Sequence, residues 1–280
     1  MEKARTARLG RGRGGWLGGV AAVACLLAGC DAAVGVPGEG YDSARAEAGA
    51  SATGGPAQPQ YGVVMSEVRD SPGAVRAIAG FAVLVRTQSI AELTERCWNM
   101  APKNVRDMYG DAQAIIDALG VQGVAEDSTV RWYGEKVTVV LPDRAIATGQ
   151  TVCPYVYKAG APIAVNDADA RHTVRRFLAR SIGKPLSPED QESAYPLVCA
   201  ATPGWNPNRT GASGLPPLAG NPGRTTGVAA FVDGSIESEW PRGKYITVTV
   251  PVTTTAGITK KQTYTLESGA EGYCIGDLSG

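Results

Sequence analysis

Among 280 residues there is one histidine, His172, and it stands among Arg171, Arg175, Arg176 and Arg180. A serine triad or a cysteine dyad needs a histidine base oriented by a third group, and no nucleophile pairs with this one, which reads as an exposed helical histidine. Scarce histidine also leaves a metal with little to bind. Asn166-Asp167-Ala168-Asp169 lacks the glycine and terminal glutamate of a calcium loop, so neither metal nor cofactor is expected. An excess of one charge is missing too: 27 Lys and Arg face 27 Asp and Glu, giving no reason to expect nucleic acid as a partner. The longest apolar stretch falls short of the roughly 20 residues of a membrane span. Ser181-Ile-Gly-Lys184 has the S-x-x-K form of penicillin-recognising enzymes, but its glycine and the following Pro185 suggest a helix end, and the S-D-N and K-T-G companions are lacking. No catalytic residue is assigned.

What is present begins at the N-terminus. Lys3, Arg5, Arg8, Arg11 and Arg13 precede an uncharged stretch over 16–29, the charged and apolar regions of an export signal. The stretch ends in Leu27-Ala28-Gly29-Cys30. This resembles the lipobox of bacterial lipoproteins, which implies cleavage before Cys30, lipid on its sulfur and a place on the extracytoplasmic face of the cell membrane. Residues 1–29 are then the signal peptide, whose Gly10 to Gly15 run cannot cradle phosphate in the mature chain. Removing five basic and one acidic residue leaves 22 against 26, mildly acidic. Arg outnumbers Lys 19 to 8, a usage of high-GC genomes such as those of actinobacteria.

Residues 30–69 have almost nothing large and apolar to bury and read as a lipid-anchored flexible tether. Four cysteines remain in an oxidising compartment, Cys97, Cys153, Cys199 and Cys274, and four allow three pairings. An internal repeat chooses among them. Trp132 to Lys136 followed by VTVVLP reappears as Trp240 to Lys244 followed by YITVTVP, each copy before a cysteine, and upstream a helical segment around Phe81 leads to Cys97 as one around Phe177 leads to Cys199. If each unit, 70–162 and 163–280, closes its own bridge, Cys97 pairs with Cys153 and Cys199 with Cys274.

In the first unit Ser71-Pro72 can start a helix whose inner face holds Ile78, Phe81, Ala82 and Val85. Ser89 with Glu92 spaces a capping box for a second, short helix. Val105, Met108, Tyr109, Ala112, Ile115, Ile116 and Leu119 form a third helical stripe that Gly120 can end. Strands are expected near 128–133, 136–141 and 150–157. The second unit repeats the first helix with Val174, Phe177, Leu178 and Ile182, and Ser187-Pro188 with Asp190 opens the next. Residues 203–226 are rich in Pro, Gly and Asn and read as a long irregular loop. Strands resume near 227–232, 244–250, 261–267 and 272–276, with Tyr245, Thr247 and Thr249 on a solvent face.

Helices followed by antiparallel strands give an α+β class. In order and size, 70–278 resembles paired NTF2-like (cystatin-like) domains, which implies two tandem helix-then-sheet repeats. Such pairs occur in TcpC-type envelope components of Gram-positive conjugation machinery. The leading expectation is a non-catalytic envelope lipoprotein that binds or assembles with another envelope protein. The alternative is a carrier or sensor with an apolar ligand between helices and sheet, and a more remote one an enzyme using Asp107, Tyr109 and Asp111. For binding, Arg171 and Arg175, with Arg176, Arg180 and Lys184, can gather on one helix side toward anionic headgroups or an acidic partner. Trp205 in the long loop can form a recognition edge. Asn208-Arg209-Thr210 has only the form of a glycosylation sequon.

Overall fold

The apolar spacing around Ile78 makes a helix in the computed structural model, which describes residues 62, 64–147, 152–221 and 227–280. Cys30, the signal, nearly all of the tether and 222–226 of the loop lie outside the described residues. Helix α1, Ala74–Thr87, buries Ile78, Phe81, Ala82 and Val85; it begins two residues after Pro72, with the Ala74 amide bonded to the Ser71 carbonyl. Helix α2, Ile90–Arg96, carries the Ser89–Glu92 capping box and delivers Cys97 at its C-cap.

The third stripe is two helices, not one: α3, Pro102–Met108, and α4, Ala112–Leu119. The break has a local cause. Gly110 has low helix propensity, and the Asp111 carboxylate accepts from the Ala114 amide at 3.0 Å, capping a new helix where the old one would have continued. Gly120 ends α4, as its position suggests.

Four antiparallel strands follow in meander order, β1 Gly123–Glu126, β2 Thr129–Tyr133, β3 Val137–Pro142 and β4 Tyr155–Lys158, with a short helix, α5 Asp143–Ala147, between the last two. Neither β1 nor α5 stands out in the sequence pattern. Trp132, Phe81, Tyr109 and Ile115 fill the space between these helices and this sheet. Met65 and Val68 also pack into this core, so the last part of the expected tether is held by its own apolar side chains.

A 15-residue helix, α6 Asp167–Ser181, opens the second half. The helix expected from Ser187-Pro188 is a turn instead, closed by the Asp190 amide on the Ser187 carbonyl, because Asp190 is drawn under α6 by two arginines. Residues 203–221 are more ordered than their composition suggests. Trp205 and Gly214 exchange backbone hydrogen bonds, and helix α7, Pro217–Gly220, buries Leu218. The second sheet has the order β5-β7-β8-β9, with β6 also paired to β7: β5 Val228–Phe231, β6 Glu237–Ser238, β7 Tyr245–Thr254, β8 Thr259–Gly269 and β9 Gly272–Ser279. Ile246, Val248, Val250 and Val252 alternate onto the face that meets Val174 and Leu178 of α6. On the other face Thr247 and Thr249 are half-buried, while Tyr245 is buried beneath Trp205 rather than facing solvent.

The fold is thus mixed α+β with two antiparallel sheets and two disulfides, Cys97–Cys153 and Cys199–Cys274, the pairing that the sequence repeat selects. No helix among the described residues is long and apolar enough to cross a membrane.

Candidate binding cleft

Helix α6 forms the junction between the two cores, and the residues that make it so begin at its N-cap. Asn166 accepts from the amides of Ala168 and Asp169, and Asp169 returns a bond to the Asn166 amide at 2.9 Å, a capping box. The acidic turn at 166–169 is this cap, and the described residues contain no metal-ligating cluster. The other carboxylate oxygen of Asp169 accepts from Asn104 of α3 at 2.7 Å and from the Tyr155 hydroxyl of β4 at 3.4 Å, tying α6 to the first half. Burial pushes the Asp169 pKa up to about 6, against the pull of these bonds. Burial, with the Asp169 charge beside it, also holds the Tyr155 phenol well above the usual range.

One helical turn on, His172 is buried, contrary to its expected exposure. Its Nε2 lies 2.8 Å from the Trp98 carbonyl, which assigns the proton to Nε2 as donor. Nδ1 is then a bare acceptor, buried and without a hydrogen-bond partner. Burial pulls the pKa down to about 4, outweighing the Trp98 bond, and Arg176 and Arg175 add to the effect.

The helix arginines do not form an open cationic patch. Arg171 binds Asp167 and the Ser238 hydroxyl, each at 2.6 Å, and Arg175 binds Asp233 at 2.8 Å. Arg176 and Arg180 converge on Asp190, whose side chain is fully buried. Arg176 also lies over the rings of Trp98 and Tyr195, at 5.0 and 5.7 Å, while Arg180 binds Glu192 and the Tyr195 carbonyl. Only Lys184, past the helix end, remains exposed. The sequence shows the cations but not the acids that meet them.

Trp205, expected at an exposed edge of the loop, is 7% exposed and packs edge-on to Tyr245 beside the Cys199–Cys274 bridge. Asp107, Tyr109 and Asp111 do not meet in a site either. Asp107 pairs with Lys103, Tyr109 donates to the Pro154 carbonyl from within the core, and Asp111 caps α4. Ser181 donates back to the Phe177 carbonyl at the end of α6.

What these elements enclose is a cleft of about 600 Å³ between the two cores. One wall is α6, with Asp169, His172 and Arg176; Tyr155 and Cys153 come from the first half, and the β8–β9 turn with Tyr273 and Cys274 closes the far side. Both disulfides contribute a wall. Of these residues sequence reasoning singled out the cysteines, His172 and Arg176. The N-x-x-D spacing at 166–169 carried a cap signal, whereas nothing local marks Asn104, Tyr155 or Tyr273.

The two titrating groups give the cleft a testable signature. Asp169, raised from 3.8 to about 6, contributes stability that is present below pH 4 and lost as pH rises through 6. His172, lowered from 6.5 to about 4, contributes stability that is present above 6.5 and lost as pH falls through 4. Each is worth on the order of 3 kcal/mol, so between pH 4 and 6.5 they nearly cancel. His172→Gln should therefore unmask a stability that rises as pH falls from 6 to 4, read by urea unfolding at each pH. A variant profile as flat as the parent's would contradict the raised Asp169.

No protein family matches the chain, and no curated protein or solved structure does either.

Proposed function

We propose that the protein is a lipoprotein held on the extracytoplasmic face of the cell membrane through Cys30, and that it acts there as a non-catalytic module binding another envelope protein. In this reading the two halves are tandem NTF2-like units. Each runs from helix to antiparallel sheet and ends on its own disulfide, which supports duplication, and the Trp132 and Trp240 segments precede β3 and β7. The disulfides support export, since such bridges persist in oxidising compartments.

Trp240 carries the reading. Its counterpart Trp132 is completely buried, but Trp240 is 90% exposed, the most exposed large apolar side chain described. It follows β6 in the connection to β7, and Val232, 65% exposed, comes directly after β5. Strands β5 and β6 pair with the same edge of β7, so both side chains belong to one sheet margin. Arg242, 79% exposed, stands two residues on. Tryptophan and arginine are the residue types that dominate binding energy at protein interfaces.

Trp240→Ala should leave folding stability within about 0.5 kcal/mol. It should reduce the envelope protein recovered with the chain after crosslinking in intact cells by about tenfold, a loss of about 1.4 kcal/mol. Recovery of the chain alone, or equal recovery with the variant, would overturn the assignment.

A further inference from the structure

The cleft between the two cores has a chemistry of its own, independent of Trp240 and of the membrane anchor. Five charged side chains line it, and each is already engaged. Arg144 pairs with Glu271 at 3.5 Å, Arg176 with the buried Asp190, and Glu267 with Lys244. Asp169 holds Asn104, Tyr155 and the Asn166 amide. A strongly charged ligand would have to compete with a partner at every one of these groups, and separating the buried Arg176–Asp190 pair is unfavourable by several kcal/mol. His172 adds no charge, because its burial keeps it neutral at physiological pH.

The wall's remaining hydrogen-bonding capacity is neutral. Nδ1 of His172 is an acceptor with no partner, but it is sealed from solvent and lies beyond a ligand's reach. Among the described residues, the Asn99 amide and the hydroxyls of Tyr195 and Tyr273 line the cleft without a side-chain hydrogen bond of their own. Tyr155, Tyr195 and Tyr273 add aromatic surface. A peptide joining as an extra strand would need free backbone, but here the edge is taken: Cys199 donates to the Ile275 carbonyl, Ile275 to the Leu197 carbonyl, and Glu192 accepts from Leu197 and Val198. An apolar ligand would leave the Asn99 amide and the two tyrosine hydroxyls unpaired, which is unfavourable by about 1–3 kcal/mol for each group so buried.

We infer that the cleft between the two cores binds a neutral, hydroxyl-rich ligand, a short saccharide. Hydroxyl groups satisfy Asn99, Tyr195 and Tyr273, the apolar ring faces of a sugar meet the tyrosines, and the volume is within the roughly 300–1,000 Å³ of small-ligand sites.

The test is titration calorimetry of the full chain, purified in detergent, with maltose, cellobiose and diacetylchitobiose, beside glucuronate, spermidine and an uncharged tripeptide. At least one neutral disaccharide should bind with an affinity that does not change with ionic strength. Asn99→Ala and Tyr273→Phe should each weaken it about fivefold, as loss of one hydrogen bond of about 1 kcal/mol does, with thermal unfolding unchanged as the control for folding. The inference fails if no neutral disaccharide binds, if only the tripeptide or a charged probe does, or if binding ignores both substitutions. Because Trp240 and Cys30 are untouched, such a failure leaves the partner-binding reading standing.

Discussion

Asp190→Ala should destabilise the protein by about 3–5 kcal/mol. The Asp190 carboxylate is completely buried and faces two guanidiniums; Arg176 approaches it through Nη2 at 2.6 Å and Arg180 through Nε at 2.9 Å. Their side chains are 9% and 13% exposed, so removing the acid strands Arg176 with little water to replace it, while Arg180 keeps only Glu192 as its acidic partner. Breaking a buried pair by deleting one partner has this magnitude because the surviving charge keeps its desolvation penalty. Burial already presses the Arg176 pKa downward, in spite of Asp190. The comparison is Asp233→Ala, which removes the half-exposed partner of Arg175 and should change stability by less than about 1 kcal/mol. Urea unfolding at neutral pH measures both, and equal effects would mean that the Asp190 cluster is solvated like a surface pair.

Loss of the Cys199–Cys274 bridge should be nearly as severe. Its cysteines are separated by 75 residues in the chain, and opening a loop of that length returns about 4 kcal/mol of entropy to the unfolded state in the chain-entropy model. The consequence is also local. Trp205 packs against this bridge and Tyr245, and the Tyr245 hydroxyl donates to the Gly204 carbonyl and accepts from the Asn206 amide. The segment after Cys199 therefore depends on the bridge for its order. A Cys199→Ser, Cys274→Ser chain should melt roughly 8–16 °C lower and be cleaved by protease within 203–221 before elsewhere. A chain that melts lower but keeps this segment resistant would separate the loop from the disulfide.

How much of this was legible depends on the distance between partners. Helix α1, the Ser89–Glu92 cap and the end of α4 at Gly120 rest on residues within four positions of each other, and the sequence shows them. The disulfide pairing was readable because the chain presents a similar order twice. The arginines of α6 were visible as cations, but Asp190, 14 residues from Arg176, turned a solvated face into a buried network and removed the helix expected at Ser187. His172 owes its burial to Trp98, 74 residues away, and Trp205 to Tyr245 across the second sheet. Asn104 and Asp169 meet over 65 residues, so the cleft wall they fix had no local signal. Where the third helical stripe broke, the apolar period was right and an N-cap at Asp111 outweighed it.

The proposed function requires that lipid on Cys30 hold the chain outside the membrane. The most direct measurement compares parent and Cys30→Ala chains after cell fractionation and detergent-phase partitioning. The parent should be found with membranes and enter the detergent phase, and Cys30→Ala should lose at least about 90% of that signal, as loss of acyl chains worth roughly 0.8 kcal/mol per buried methylene requires. A Cys30→Ala chain that partitions like the parent, or a parent chain that stays in the cytoplasm with its four core cysteines reduced, would contradict the account.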